Sequence, residues 1–197
     1  RVGSHVDRVK NKIKLIAAQK QELGIQQPYL TVLTLATKQA IPEIDQVISF
    51  CREYGVDALM IKFPNLWRTR KSDQEALALY HQFISEDQGY SRYQPSDSQE
   101  EIINHPGSCP FLDKNGAILW DGKVTTCCYD HEGSYSFGNI NDPCGYKGIL
   151  ESQVKQERWE SMRQRQLPIC QSCDATGPRS HLIMLTPSLT QADFEFL

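Results

Sequence analysis

The stretch CPFLDKNGAILWDGKVTTC, residues 109–127, decides the fold of the second half of the chain. Its Asp121–Gly122 pair signals a two-residue turn and predicts a β-hairpin that joins residues 117–120 to residues 123–127. A cysteine stands at each end of the stretch, with seventeen residues between them, and Gly122 lies five residues before the second one. The hairpin therefore presents two thiols from its opposite ends.

A second pair of cysteines, Cys170 and Cys173, forms a Cys-x-x-Cys motif further along the chain. Together with Cys109 and Cys127 it supplies the four thiolates that a four-coordinate metal site requires. The spacing fits such a site better than a disulfide, catalytic or packing role. Thiolate spacing does not separate a structural zinc ion from an iron–sulfur cluster, because both bind four cysteine sulfurs. Both metals stay open at this point.

The chain of 197 residues has an ordinary globular composition, 40 % hydrophobic and 23 % charged, with a net charge of −3. This slight acidity gives no support to a nucleic-acid partner. No apolar run approaches the roughly 20 residues that cross a bilayer, and no secretory signal opens the chain, so we expect no membrane partner. The seven cysteines would leave one over from a complete disulfide framework. We therefore expect a cytoplasmic protein whose clustered thiols bind metal.

The first half of the chain alternates helical and strand patterns. Apolar residues at helical spacing predict a helix that ends at Gly24, and the run YLTVLTLA, residues 29–36, predicts a buried parallel strand. Pro42 opens a second helix, residues 56–63 form a second strand, and the Ser72–Glu75 capping box begins a third helix. This α-β-α-β-α order is typical of a wound α/β sheet or barrel.

Two parallel strands cannot close a barrel, and each would keep an exposed edge. We therefore expect further strands upstream of Arg1, and a chain that starts with arginine instead of methionine is expected to be a fragment or a processed piece. Residues 86–108 are polar and lack aliphatic periodicity, which predicts a linker or a long loop. The apolar residues from about 146 to 166 do not hold one period, which predicts a bend or two short helices.

In these residues the chain resembles the C-terminal half of a radical S-adenosylmethionine enzyme with a SPASM or twitch auxiliary-cluster domain. That domain opens with a cysteine, about a dozen residues and then Gly-x-x-x-x-Cys, and Cys109, Gly122 and Cys127 repeat this pattern. The run DGKVTTCCYDHEG and the closing Cys170-x-x-Cys173 follow in the same order. The first half, with TLATKQAIPEI and FCREYGVDALMIK, resembles the last strands and helices of the family's partial barrel.

The resemblance implies an α/β fold, in which the C-terminal strands and helices of a partial (β/α) barrel precede a small α+β cluster-binding domain with a β-hairpin. It places the barrel part at residues 1–88, a linker at 89–108, the SPASM/twitch domain at 109–180 and a tail at 181–197. A full SPASM domain has further cysteines after the Cys-x-x-Cys, and this sequence has none there. One auxiliary [4Fe-4S] cluster is therefore implied.

The resemblance assigns this cluster to Cys109, Cys127, Cys170 and Cys173. S-adenosylmethionine and a second [4Fe-4S] cluster belong only to the complete enzyme, because the chain contains no Cys-x3-Cys-x2-Cys motif. In that enzyme a 5′-deoxyadenosyl radical would abstract hydrogen from a peptide, protein or small-molecule substrate, in an oxidation or a crosslinking reaction. The implied partner of this chain is the N-terminal remainder of the barrel. The alternative is a non-catalytic binding or scaffold domain stapled by zinc.

Three further residues are candidates for a site. Some relatives place an acidic base directly after the second cysteine, where this chain has Cys128, expected as a small buried residue. Asp130 is a substitute catalytic candidate, against the alternative of a solvated turn aspartate. Lys38 and Lys62 stand at the carboxyl ends of the predicted strands, where α/β sites lie, and are candidates for cofactor binding against simple surface solvation. Cys51 is expected in a helix core.

Overall fold

The computed structural model describes residues 5–68, 72–96, 98, 100–104, 109, 111–112 and 116–186. The α-helices in these residues are α1 (Val6–Glu22), α2 (Ile44–Glu53), α3 (Asp73–Phe83), α4 (Gly145–Leu150), α5 (Gln153–Arg163) and α6 (Pro168–Gln171). The strands are β1 (Thr31–Leu35), β2 (Ala58–Lys62), β3 (Tyr93–Gln94), β4 (Ile103–Asn104), β5 (Ala117–Ile118), β6 (Lys123–Thr125), β7 (Gly138–Asn139) and β8 (Ser180–Met184). The predicted mixed α/β class is confirmed.

The chain divides into two compact units. The first unit comprises Arg1–Pro64, Gln82–Ser91 and Pro178–Leu197, and the second comprises Asn65–His81 and Arg92–Gly177. Among the described residues, no helix combines the length and the apolar character that crossing a bilayer demands.

The sheet of the first unit has the strand order β1-β2-β8. Strands β1 and β2 are parallel, with Thr31 opposite Ala58 and Leu35 opposite Lys62, as the sequence predicts. Strand β8 pairs antiparallel with the other side of β2. It begins at the boundary of the segment that the resemblance marks as a tail, and residues 187–197 of that segment lie outside the described residues.

The burial of the two predicted strands differs from the expectation. Leu33 and Leu35 of β1 are 54 % and 50 % exposed, so β1 is not the buried strand that its apolar run suggested. Strand β2 is the central, buried strand, and both of its edges are paired, which makes the expected exposed edge of β2 wrong. The sheet of the first unit is open and has three strands, and no barrel is present among the described residues.

Local signals place the helices of the first half where the sequence predicts them. Gly24 and Gly55 follow α1 and α2 with φ of 64° and 66°, a left-handed conformation that glycine adopts without strain. The reciprocal hydrogen bonds of the Ser72–Glu75 capping box confirm the predicted start of α3. Cys51 is fully buried in the core that α2 shares with β2, as expected.

The predicted hairpin is present in the second unit. Strands β5 and β6 pair antiparallel, with Ala117 opposite Thr125, and the turn closes through the bond from the Leu119 amide to the Lys123 carbonyl at 2.8 Å. Gly122 has a φ of 84° in this turn. A third strand that the sequence did not predict, β7, pairs with the outer side of β6. The predicted two short helices are α4 and α5.

The polar stretch predicted as a linker contains ordered, buried structure. Strands β3 and β4 pair antiparallel within it, with Tyr93 opposite Asn104. Tyr93 is fully buried, and Arg92 and Ile102 are also buried. Residues 97, 99 and 105–108 of this stretch lie outside the described residues. Absence of aliphatic periodicity therefore did not mean absence of packing here.

Candidate metal centre

Four cysteine side chains from three parts of the second unit pack into one apolar cluster. Cys109 lies before β5, Cys127 lies two residues after β6, Cys170 lies on α6 and Cys173 follows that helix. We call these four the thiol quartet. The side chains that pack around the quartet are aromatic and aliphatic, and include Trp67, Phe111, Leu112, Tyr129, Tyr135, Met162, Leu167, Ile169 and Ala175. The four sequence-predicted ligands therefore belong to one apolar cluster.

The thiols of Cys109, Cys170 and Cys173 hold their protons more tightly than ordinary cysteines do. Burial raises the pKa of Cys170 to about 12, and the charges of the other three cysteines add to this effect. Burial also raises the pKa of Cys173 to about 11 and raises the pKa of Cys109. The positive charge of Arg165 acts in the opposite direction on all three. Four thiolates are thus unfavourable here unless a cation balances them.

The donor set has the chemistry of a thiolate metal centre. Soft thiolate ligands select zinc and iron–sulfur clusters, and a bound centre replaces the protons that the buried thiols otherwise keep. Within the part of the chain that the structure describes, no three His, Cys, Asp or Glu side chains are grouped as ligands of one metal ion. The fit to a thiolate metal centre rests on the membership of all four thiols in one apolar cluster.

Side chains from outside the Cys-x-x-Cys segment hold its backbone. The Arg165 guanidinium nitrogen Nη2 donates to the carbonyl oxygens of Cys170 at 2.6 Å and Cys173 at 3.1 Å. The Asn104 amide nitrogen also donates to the Cys173 carbonyl, at 3.1 Å. Arg92 donates to the carbonyl of Asp174 at 3.3 Å. The turn that carries two thiols is thus fixed through its carbonyl groups.

The residue after Cys173 is a buried acid with a buried partner. The Tyr93 hydroxyl donates to Oδ2 of Asp174 at 2.6 Å and accepts from the Leu66 amide at 3.0 Å. Asp174 is 1 % exposed, and its Oδ1 has no hydrogen-bond partner among the described residues. Burial, together with the charge of Asp174, raises the pKa of the Tyr93 phenol. The phenol therefore stays protonated and remains a donor to the carboxylate.

Residues 109–174 match the model of the SPASM family, an iron-sulfur cluster-binding domain. On the basis of this similarity, we call residues 109–174 the SPASM domain. All four members of the thiol quartet lie within the matched residues, which span roughly a third of the chain. No curated protein and no solved structure is significantly similar to the chain.

Asp130 of the SPASM domain is buried and holds a loop. It is 3 % exposed, so it is not a solvated turn aspartate. Its carboxylate accepts from the amides of Ser134 and Tyr135, each at 2.9 Å, and from the hydroxyl of Thr125. These bonds fix the turn that follows Cys127. The structure thus shows a loop-holding residue at the position proposed for a catalytic base.

Two further cysteines of the SPASM domain differ from the quartet in exposure. Cys128 is exposed, although the sequence suggested a small buried residue at this position. Cys128 lies in the turn that follows β6, next to the buried Cys127. Cys144, which precedes α4, is exposed as well.

A surface cavity of about 490 Å³ borders the same part of the SPASM domain. Its lining comes from the loop after Cys127 and from the start of α6, and comprises Tyr129, Asp130, His131, Glu132, Ser134, Tyr135, Pro168 and Ile169. Tyr129 stacks on Trp67 with ring centroids 4.7 Å apart, and its hydroxyl is bound by the Asn65 amide. The cavity therefore has one aromatic, ordered wall that also packs against the quartet.

Lys38 and Lys62 belong to the first unit. Lys62 ends β2, and its partner Leu35 ends the parallel strand β1, so both lysines stand at the same edge of the sheet. The ammonium group of Lys38 lies 3.7 Å from Glu86 in an exposed ion pair. Such a pair contributes little to stability. A cofactor contact of either lysine stays a prediction.

Sequence reasoning missed the residues that support the quartet. Arg165, Asn104, Arg92 and Tyr93 carry no motif, and the last three lie in the stretch that was predicted as a linker. One signal was available in that stretch. It contains large side chains, at Arg92, Tyr93, Ile102 and Ile103, whereas flexible linkers are rich in glycine and serine.

Proposed function

We propose that the chain is the C-terminal part of a radical S-adenosylmethionine enzyme, and that its SPASM domain binds one auxiliary [4Fe-4S] cluster through Cys109, Cys127, Cys170 and Cys173. The observation that carries the proposal is the packing of these four thiols in one apolar cluster inside the matched segment. When bound, such a cluster supplies a one-electron acceptor or donor.

The residues of the chain support that role by their packing. Trp67, Phe111 and Tyr129 pack in the same apolar cluster as the quartet. Low water access and apolar surroundings are among the features by which a protein tunes an iron–sulfur cluster. The carbonyl contacts of Arg165 and Asn104 keep the Cys-x-x-Cys turn in place before a metal centre is bound.

The cavity beside the quartet suggests how a substrate reaches this part of the enzyme. It has room for a side chain or a small molecule, and one of its walls, Tyr129, also packs in the apolar cluster around the thiols. The substrate class is a peptide, a protein or a small molecule that undergoes oxidation or crosslinking.

The first unit is proposed to be the end of the partial (β/α) barrel. The parallel pairing of β1 with β2 and the position of Lys38 and Lys62 at the carboxyl edge support this proposal. The N-terminal remainder of the barrel would then supply the Cys-x3-Cys-x2-Cys motif, the second [4Fe-4S] cluster and the site for S-adenosylmethionine. The complete enzyme is proposed to act in the cytoplasm, where thiols remain reduced.

Metal analysis of anaerobically purified chain tests the proposal. A brown protein with about four iron atoms per chain and matching inorganic sulfide is the expected result. A colourless protein with one zinc ion would support the alternative, a non-catalytic scaffold domain stapled by zinc, and would overturn the assignment to an iron–sulfur enzyme.

A further inference from the structure

Arg165 occupies an unusual backbone position five residues before the first cysteine of the Cys-x-x-Cys segment. It lies two residues after the end of α5 and has a φ of 55°, in the left-handed region. A helix commonly ends with glycine in this conformation, because a side chain there is strained. The chain therefore keeps a large charged residue where the backbone favours glycine, and a compensating interaction is expected.

The compensating interaction joins the two cysteines of the motif. A single guanidinium nitrogen of Arg165 donates to the carbonyl oxygens of both Cys170 and Cys173. These two residues lie three apart and belong to the turn that presents two of the four thiols. The side chain is half-buried, so its charge is held close to the quartet and is only partly screened by water.

We propose that Arg165 is a positioning residue that holds the Cys170–Cys173 turn in its ligand-binding shape and raises the reduction potential of the bound cluster through its fixed positive charge. This inference rests on the proposed cluster. It goes further by assigning both the preorganisation of one ligand pair and the tuning of the redox couple to one side chain.

The sign of the effect follows from charge. One-electron reduction of a cluster adds one negative charge, and a nearby guanidinium, which stays protonated in proteins, favours the more negative state. The carboxylate of Asp174, which follows Cys173, acts in the opposite sense. Removal of the positive charge alone should therefore make reduction harder.

The experiment compares three variants of the full chain, purified and reconstituted anaerobically. Arg165→Gln removes the charge but keeps an amide donor, and Arg165→Lys keeps the charge. Arg163→Gln is the matched control, since Arg163 ends α5 with an exposed side chain near Glu160. Iron content, amide hydrogen exchange of the metal-free chain and a dithionite redox titration followed by electron paramagnetic resonance are measured for each.

In the loaded Arg165→Gln chain, the ratio of reduced to oxidised cluster at a fixed ambient potential should fall about tenfold, which corresponds to about 59 mV for a one-electron couple. In the metal-free chain, the amides from Cys170 to Asp174 should exchange faster. The Lys variant and the Arg163→Gln control should match the wild-type potential. An unchanged potential in Arg165→Gln overturns the charge assignment, and unchanged exchange overturns the positioning assignment.

If Arg165→Gln retains no iron, its potential cannot be measured, and the proposal is tested on Arg165→Lys instead. Iron and wild-type potential in Arg165→Lys support the proposal, and their absence overturns it. Failure of the proposed function is distinguishable, because a wild-type chain that takes up no iron would refute the cluster while the exchange measurement still decides whether Arg165 holds the turn.

Discussion

The hydroxyl of Tyr93 donates a 2.6 Å hydrogen bond to Oδ2 of Asp174, the residue that follows the second cysteine of the Cys-x-x-Cys motif. Both side chains are buried, and Oδ1 of the same carboxylate has no hydrogen-bond partner among the described residues. A buried charge without its donor is costly. The Tyr93–Asp174 pair therefore joins the predicted linker to the segment that carries two of the thiols.

Tyr93→Phe should lower the free energy of unfolding by about 1–3 kcal/mol, because it leaves both the Asp174 carboxylate and the Leu66 amide without the phenol oxygen. Urea denaturation of the full chain measures the change. Tyr146→Phe makes the same chemical change at an exposed position of α4 and should stay within about 0.5 kcal/mol of wild type. Equal values for the two variants would contradict the importance of the pair.

Cys170→Ala should reduce iron content and destabilise the SPASM domain, because cluster binding and folding are coupled when the ligands come from separate segments. Iron analysis and thermal unfolding of anaerobic protein are the measurements. Cys144→Ala, at an exposed cysteine of the same domain, should keep its iron. Cys51→Ala should keep its iron as well, although Cys51 is buried in the first unit. Full iron retention in Cys170→Ala would remove it from the ligand set.

Asp130→Asn should lower the free energy of unfolding by about 1–3 kcal/mol, because a neutral amide cannot accept from the hydroxyl and both amides that the carboxylate now satisfies. Denaturant titration tests this expectation. Asp142→Asn is the matched control: Asp142 is exposed, and its carboxylate accepts one bond, from the Asn139 amide at 2.9 Å. A stable Asp130→Asn chain would return Asp130 to consideration as a purely catalytic group.

Gly122→Ala should destabilise the chain more than Gly145→Ala does. Both glycines have left-handed backbones, with φ of 84° and 58°, so each alanine costs about 1–2 kcal/mol in backbone strain. At Gly122 an added Cβ would also lie 2.6 Å from the side-chain oxygen of Asn139, whereas nothing lies within 4 Å at Gly145. Asn139 is itself held by a 2.9 Å bond to the Asp121 carbonyl. Comparable losses in unfolding free energy would show that the close contact is relieved easily.

The chain as it stands should not cleave S-adenosylmethionine, because it contains no Cys-x3-Cys-x2-Cys motif to provide an iron with an open coordination position. Reduced, reconstituted protein is incubated with S-adenosylmethionine, and 5′-deoxyadenosine is quantified by liquid chromatography. Product above a chain-free control would reveal a second metal site formed by other residues.

Features set by neighbouring residues could be predicted from the sequence. The Ser72–Glu75 capping box, the Asp121–Gly122 turn and the two-helix break around residue 151 depend on contacts within a few positions, and the structure has all three. The four cysteines singled out by their spacing also belong to one apolar cluster, and their role as metal ligands stays a prediction.

Features set by distant residues could not be predicted. No local sequence signal predicts that β8 pairs with β2. The two strands pair because this edge of β2 is open to a partner. Tyr93 is buried because Asp174, 81 residues later, accepts its hydroxyl. The apolar run of β1 suggested burial, but its place at the edge of the sheet leaves Leu33 and Leu35 exposed. Such outcomes depend on which segments meet, which local patterns do not encode.

During synthesis of the chain, β8 can pair with β2 only after a delay, because it is made much later. Lys62 pairs with Ser180, so roughly 120 residues must be made before the second edge of β2 finds its partner. At typical rates of about 5–20 residues per second, that edge stays open on the ribosome for about 6–24 s. Until then β2 presents unpaired backbone groups that attract other strands. Premature release of the chain before β8 emerges should therefore leave an aggregation-prone product.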